Sequence, residues 1–259
     1  MEDLVARHLE SIGSAKQRSD AKSRTAEGRA KVDSILAAST HLEGQAAMFS
    51  SGRKSKTVIR FGARDYPGEQ FVFDGSTIKV ALTGVNTRSS LGDFVNREQA
   101  LLKEGLLGGS LFTSWALLDL PGRKAQLRYE GLKKVDGREL HRLDYIPKKS
   151  GDASIHLYFE QDTFRHVKTE YLLRVDAPMG RASIAGRESL ASRQTVHTEA
   201  TKFRLEEWFD DFRQIDALTL PVHWRLRMTI EPAATAMLEW DIKLAQIATN
   251  PPVDEKSIF

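Results

Sequence analysis

Apolar and polar residues alternate with a period of two over much of this chain. Val222, Trp224, Leu226, Met228 and Ile230 interleave with His223, Arg225, Arg227 and Thr229. Leu238, Trp240, Ile242 and Leu244 interleave with Glu239, Asp241 and Lys243. Ile155, Leu157 and Phe159 repeat the pattern against His156, Tyr158 and Glu160, and Phe71 and Phe73 do so on a shorter strand. Because successive strand side chains point to opposite faces, this pattern predicts strands with one buried and one wet face.

From Leu127 to Val175 four such segments run in series. Asp136-Gly137 joins the first two, and a turn at Gln161 to Thr163 joins the last two. A two-residue hairpin loop needs φ > 0 at both central positions, which Asp-Gly adopts at low cost. The expectation is an antiparallel meander. Further hairpins are expected at Gly52 to Lys54 and at Asp74-Gly75, and three longer strands occupy 197–215, 219–231 and 236–247. Asp216-Ala217 lies where the first two of these would turn, and alanine resists φ > 0 by ~1 kcal/mol or more, which predicts a longer or differently shaped turn.

Two regions depart from the alternation. Leu4, Val5, His8, Leu9 and Ile12 have helical spacing before Gly13. Residues 90–120 also read as helical: Ser90 with Asp93 forms a capping-box-like start, Phe94, Leu101 and Leu102 begin an apolar stripe, and Gly105, Gly108 and Gly109 interrupt it. A second helix is expected from about Ser110 to Leu118, ended by Pro121-Gly122. Residues 176–193 are small, polar and glycine-rich and predict a mobile loop.

About ten one-faced strands make a large curved antiparallel sheet whose apolar face needs cover. Short helices over so wide a face leave two alternatives open, a residual apolar cavity or a filled core. At 259 residues, 41% hydrophobic and 28% charged, one large domain spanning 1–259 is expected.

Net charge is only +3, with basic residues dispersed along the sequence, which disfavours nucleic acid. No apolar run reaches the roughly 20 residues of a membrane-spanning helix. With no cysteine, thiolate metal sites and cysteine nucleophiles are excluded. The opening MEDLVARHLESIG lacks a signal-peptide pattern, so the chain is either cytoplasmic or a mature form.

No catalytic constellation emerges. Gly108-Gly109-Ser110-Leu111-Phe112 lacks the closing glycine of a nucleophile elbow, and Gly52-Arg53-Lys54-Ser55 is not a phosphate loop. The seven histidines have no metal-ligand spacing; those on the polar face of strands read as solvated, while His166 reads as packing near a turn. Glu206-Glu207 and Asp210-Asp211 point to opposite faces within each pair, so they read as solubilising charges. Trp208, Trp224 and Trp240 read as inward aromatics. Trp115 stands apart, because the glycine-broken insertion that carries it is where a movable cover would be.

The segments 129–171, 209–231 and 238–259, together with Tyr66 to Gly75 (YPGEQFVFDG), carry an ordered set of motifs. These are a V-D-G-R hairpin, a D-x-T-F turn, an F-x-D-[FY]-R segment before a hairpin ending in L-P, and an N-x-P-x-D tail. In this order the chain resembles the LolA/LolB-like superfamily of periplasmic outer-membrane lipoprotein carriers over about two-thirds of its length. The resemblance implies a mainly β (α+β) fold: an incomplete antiparallel β-barrel with helices as a lid over an apolar cavity for acyl chains. It also implies an envelope location with a signal sequence removed. The family's polar lid residues have no counterpart between Ser90 and Leu120.

The expected function is therefore a noncatalytic carrier or sensor for lipid or lipoprotein acyl chains, without cofactor or metal. Leu111, Phe112, Trp115, Phe71, Phe73, Leu157, Phe159, Trp224 and Trp240 are the candidate lining residues. The alternative partner is another envelope protein, as in stress-sensing relatives of the fold. A lipid hydrolase lacks a recognisable nucleophile and base.

Overall fold

The computed structural model describes residues 1–34, 41–149, 151–176, 200–231, 236–252 and 258–259. Its centre is one antiparallel sheet of twelve strands. The strands are β1 (Ser23–Ser34), β2 (His41–Ser51), β3 (Lys54–Phe61), β4 (Glu69–Phe73), β5 (Ile78–Leu82), β6 (Gln126–Val135), β7 (Arg138–Ile146), β8 (Ser154–Glu160), β9 (His166–Val175), β10 (Thr201–Ile215), β11 (Leu218–Glu231) and β12 (Ala236–Thr249). Their order is β5-β4-β3-β2-β1-β12-β11-β10-β9-β8-β7-β6.

Every neighbouring pair except one is also consecutive in sequence. The exception, β1 with β12, joins the two halves of the chain from Arg24↔Thr249 to Ser34↔Leu238. The unpaired edges, β5 and β6, are consecutive in sequence as well, and residues 83–125 run from one edge to the other. The sheet is thus an incomplete barrel, and this segment forms a strap across its concave face.

The four predicted strands of the meander are β6 to β9. Asp136 and Gly137 take φ of 49° and 81° between the paired residues Val135 and Arg138, as a two-residue hairpin with the strand twist requires. At the β10–β11 turn the loop also has two residues, since Ile215 pairs with Leu218. Only Asp216 of the pair takes positive φ (52°), so Ala217 avoids the expected strain and the turn is not lengthened. In the tail motif, Asn250 takes φ of 50°, its Oδ1 accepts from the N–H groups of Lys22 and Ser23, and its Nδ2 donates to the Asp20 carbonyl.

The helices are α1 (Glu2–Ile12), α2 (Ala15–Asp20), α3 (Ser90–Arg97), α4 (Ala100–Lys103) and α5 (Leu120–Arg123). Leu4, Val5, His8 and Ile12 form the buried side of α1. The N-cap of α3 is Ser89, not Ser90, and its side chain accepts from the Gly92 N–H. The helix expected over Ser110 to Leu118 does not form: two 3₁₀ turns, Gly109–Leu111 and Ala116–Asp119, take its place. Pro121 does not end a helix but sits in the first turn of α5, where its missing N–H costs nothing. The loop expected at 176–193 lies outside the described residues apart from Asp176.

Candidate functional site

The concave face and the strap share one apolar cluster, and all nine predicted lining residues belong to it. β4 contributes Phe71 and Phe73, β8 contributes Leu157 and Phe159, β11 contributes Trp224, and β12 contributes Trp240. The strap contributes Leu111, Phe112 and Trp115. Phe73 is the most exposed of the nine, at 6%. Surface hollows of about 320, 470 and 400 Å³ are lined by other residues.

Arg24, His8 and Glu207 are polar side chains buried in this apolar region, and each holds the strap. Arg24 on β1 is buried, and its Nη1 donates to the carbonyls of Ser110 and Leu111, both at 2.8 Å. Burial lowers its pKa to about 10. His8 on α1 donates from Nδ1 to the Phe164 carbonyl (3.0 Å) and accepts at Nε2 from the Trp115 indole N–H (2.9 Å). Those partners fix the neutral tautomer. Burial drives its pKa down to about 4.

The third is Glu207 on β10. Its Oε1 accepts from the Gly108 backbone N–H (2.8 Å) and the Trp224 indole N–H (2.9 Å), and its Oε2 from the Tyr171 hydroxyl (2.7 Å). The carboxyl is completely buried, and burial lifts its pKa to about 7, although its three hydrogen bonds pull the other way. Gly108 reaches it with φ of 82°, in the left-handed region. At Gly109, a Cβ would come within 2.9 Å of His166 Nδ1 and 3.0 Å of the Phe209 ring, so the strap lies against the sheet there.

His166 completes the contact. Its ring stacks on Trp115 with centroids 4.7 Å apart, and its Nε2 meets the Thr169 hydroxyl at 2.9 Å. Burial, with His8 nearby, holds its pKa well below the ordinary value. His166 thus packs near the turn into β9, as expected, whereas the expectation that polar-face strand histidines are solvated fails for His156, which is buried on the convex face beside Asp144 at 2.7 Å. The solubilising role expected of Glu207 is likewise wrong. Phe203, Leu205, Glu207 and Phe209 share one face, so the period of two places this carboxylate among inward apolar residues.

The same register corrects Trp208. It lies on the convex face, where Lys168, Arg227 and Arg225 stand 4.8, 5.0 and 5.4 Å from its ring centroid. Glu206, its neighbour on that face, pairs with Lys168 at 2.7 Å. No His, Cys, Asp or Glu group suited to a metal ion occurs among the described residues. No helix among them is long and apolar enough to cross a membrane.

No protein-family model matches the chain, and no curated protein does. Solved structures do. A DUF1329 family protein from Desulfovibrio piger is 11% identical, with a TM-score of 0.51, covering 100% of this chain and 96% of that one. A LolA superfamily protein from Nitrosomonas europaea is 13% identical with a TM-score of 0.49, covering 100% and 96%. A domain assigned to outer membrane lipoprotein sorting from Vibrio parahaemolyticus is 13% identical with a TM-score of 0.48, covering 98% and 96%. Such identities speak to fold alone: the chain shares its fold with the Desulfovibrio piger protein, and here that fold is an antiparallel sheet left open on one side and crossed by a helical strap.

Proposed function

We propose that the protein is a noncatalytic carrier in the cell envelope, which takes lipid or lipoprotein acyl chains between the concave face and the strap. The observation that carries this reading is how the strap is held. It crosses an apolar face, and what fixes it to the sheet and to α1 is a set of side-chain hydrogen bonds, from Arg24, Glu207, His8, Ser50 and Tyr145 among others, none of which belongs to a β-ladder. Such a cover can lift as a unit while the twelve-stranded sheet stays paired. Beneath it Phe71, Phe73, Leu157, Phe159, Trp224 and Trp240 would receive the chain, and Leu111, Phe112 and Trp115 would close over it. Each buried methylene contributes roughly 0.8 kcal/mol, so ten would supply ~8 kcal/mol before the cost of opening. The LolA-like fold and the ordered motifs support the envelope location.

The reading is tested by titrating delipidated protein with a fluorescent fatty acid and with a lipopeptide. Saturable binding is expected. Phe112→Ala should weaken it about tenfold, whereas Leu140→Ala, in a separate apolar cluster with Tyr158 and Val167, should leave affinity unchanged. No saturable binding, or equal loss in both variants, would overturn it.

A further inference from the structure

The edge strand β6 ends the concave face without cover. Tyr129 pairs with the core residue Leu143, and Leu132 pairs with His141, so both side chains point to the concave side. Each is nevertheless 42% exposed. Between them the register shifts, with Gly131 at φ of 79°. A bulge of this kind bends an edge strand and breaks its row of hydrogen-bonding groups, which works against the addition of another strand. What this edge offers a partner is therefore side chains.

Those side chains are apolar and basic. Exposed Lys133 and Lys134 follow Leu132 at the strand's end, one toward each face, while Arg128 is already paired with Glu130 and Asp144. Arg7 of α1 lies over Phe164, which stacks on His141, and His141 Nδ1 is 2.8 Å from the Tyr129 hydroxyl. Residues 124–149 hold eight Lys and Arg against four Asp and Glu, an excess of four, while the whole chain carries only +3. The hairpin β6–β7 itself holds five against four, and Lys124, Lys148 and Lys149 at its open end add the other three, so this segment carries +4 while the rest of the chain sums to −1.

We infer that the β6 edge is a docking surface for an anionic lipid bilayer, with Tyr129 and Leu132 entering the interface and the lysines at both ends of the strand meeting anionic headgroups. A tyrosine has an apolar body and a polar tip suited to that depth, and exposed cations supply the attraction. Strand addition by an acidic peptide fits less well, because the bulge interrupts the edge such a peptide would need. The inference stands apart from the carrier reading, since it concerns the outer rim and needs no bound acyl chain.

The test is sedimentation of the full chain with vesicles of phosphatidylcholine alone or mixed with phosphatidylglycerol. Binding is expected only to the mixed vesicles, and it should weaken as salt is raised. At about 1 kcal/mol per cation near the surface, Lys133→Glu with Lys134→Glu should lower partitioning ~30-fold or more. Arg29→Glu with Lys243→Glu makes the same charge change on a paired site of β1 and β12, on the convex face, and should change it less than threefold. Tyr129→Ser with Leu132→Ser should reduce binding at constant net charge, with folding of each variant verified by circular dichroism. Absence of binding to the mixed vesicles at low salt would overturn the inference. So would equal loss in the two charge-reversed proteins, or full binding by the serine variant.

Discussion

On the concave face, Glu207, Arg24 and His8 are buried one at a time among apolar side chains, and each gives at least one hydrogen bond to the strap. On the convex face, Lys168, Arg225 and Arg227 gather around Trp208 and pair with Glu206, Asp210 and Glu239. The convex groups keep some water and several partners, so the loss of one leaves the others solvated. The concave groups have few substitutes. Charge is thus distributed and replaceable outside, and individual and committed inside.

Substitutions can break this contrast, and the largest effect is expected at Glu207. Glu207→Ala strands the Gly108 N–H, the Trp224 indole and the Tyr171 hydroxyl in a dry interior, for a loss of about 4 kcal/mol in denaturant unfolding. A loss below 1 kcal/mol would mean that water reaches these donors.

The next effect is one of pH. With its folded pKa raised from 4.5 to about 7, Glu207 holds a proton that the unfolded chain has released, so its contribution to stability falls as pH rises through that window. His8, lowered from 6.5 to about 4, has the opposite slope, and its contribution falls as pH drops from 6.5 toward 4. The two oppose each other where the windows overlap. Glu207→Gln removes only the first, so the variant's stability relative to the parent should rise by about 3 kcal/mol between pH 4.5 and pH 7.5. A difference independent of pH would show that Glu207 titrates as an ordinary carboxyl.

A smaller change is expected for Arg24→Met. It removes two hydrogen bonds to the strap but also relieves the burial of a cation whose Nε has no partner. Global stability should fall by about 1–2 kcal/mol, while amide exchange in 108–116 should accelerate more than in β10 or β11. Uniform acceleration would mean that strap and sheet open together. On the outside, Arg227→Ala should cost less than about 1 kcal/mol, because its pair with Glu239 is partly exposed and Trp208 keeps two other cations. A loss as large as that of Glu207→Ala would erase the distinction between the faces.

Much of the sheet is legible in the sequence because its information is local. Alternation in β11 and β12 fixes the faces, and Asp136-Gly137 fixes a turn. Glu207 was legible in principle: its place between Leu205 and Phe209 puts it on the apolar side, but a doublet of glutamates invites a reading by charge instead of by register. The strap was legible as a helical insertion over 90–120, but its course beyond Lys103 was not. Its 3₁₀ turns have no distinctive period, and its anchors come from residues 86 and 99 positions away in Arg24–Ser110 and Gly108–Glu207. Nor does local pattern reveal that β1 pairs with β12, or that Lys124 is brought beside Lys148 and Lys149 at the open end of the β6–β7 hairpin.

That one long-range ladder also governs the order of assembly. Ten of the eleven ladders join strands that follow one another in sequence, and each can form soon after its second strand exists. The ladder between Arg24 and Thr249 cannot. As a ribosome extends the chain, β1 waits with one edge bare and its half of the apolar face uncovered until β12 has been made. The search across that loop is slow compared with closing a hairpin. In this protein the interval of greatest exposure to wrong partners therefore belongs to synthesis.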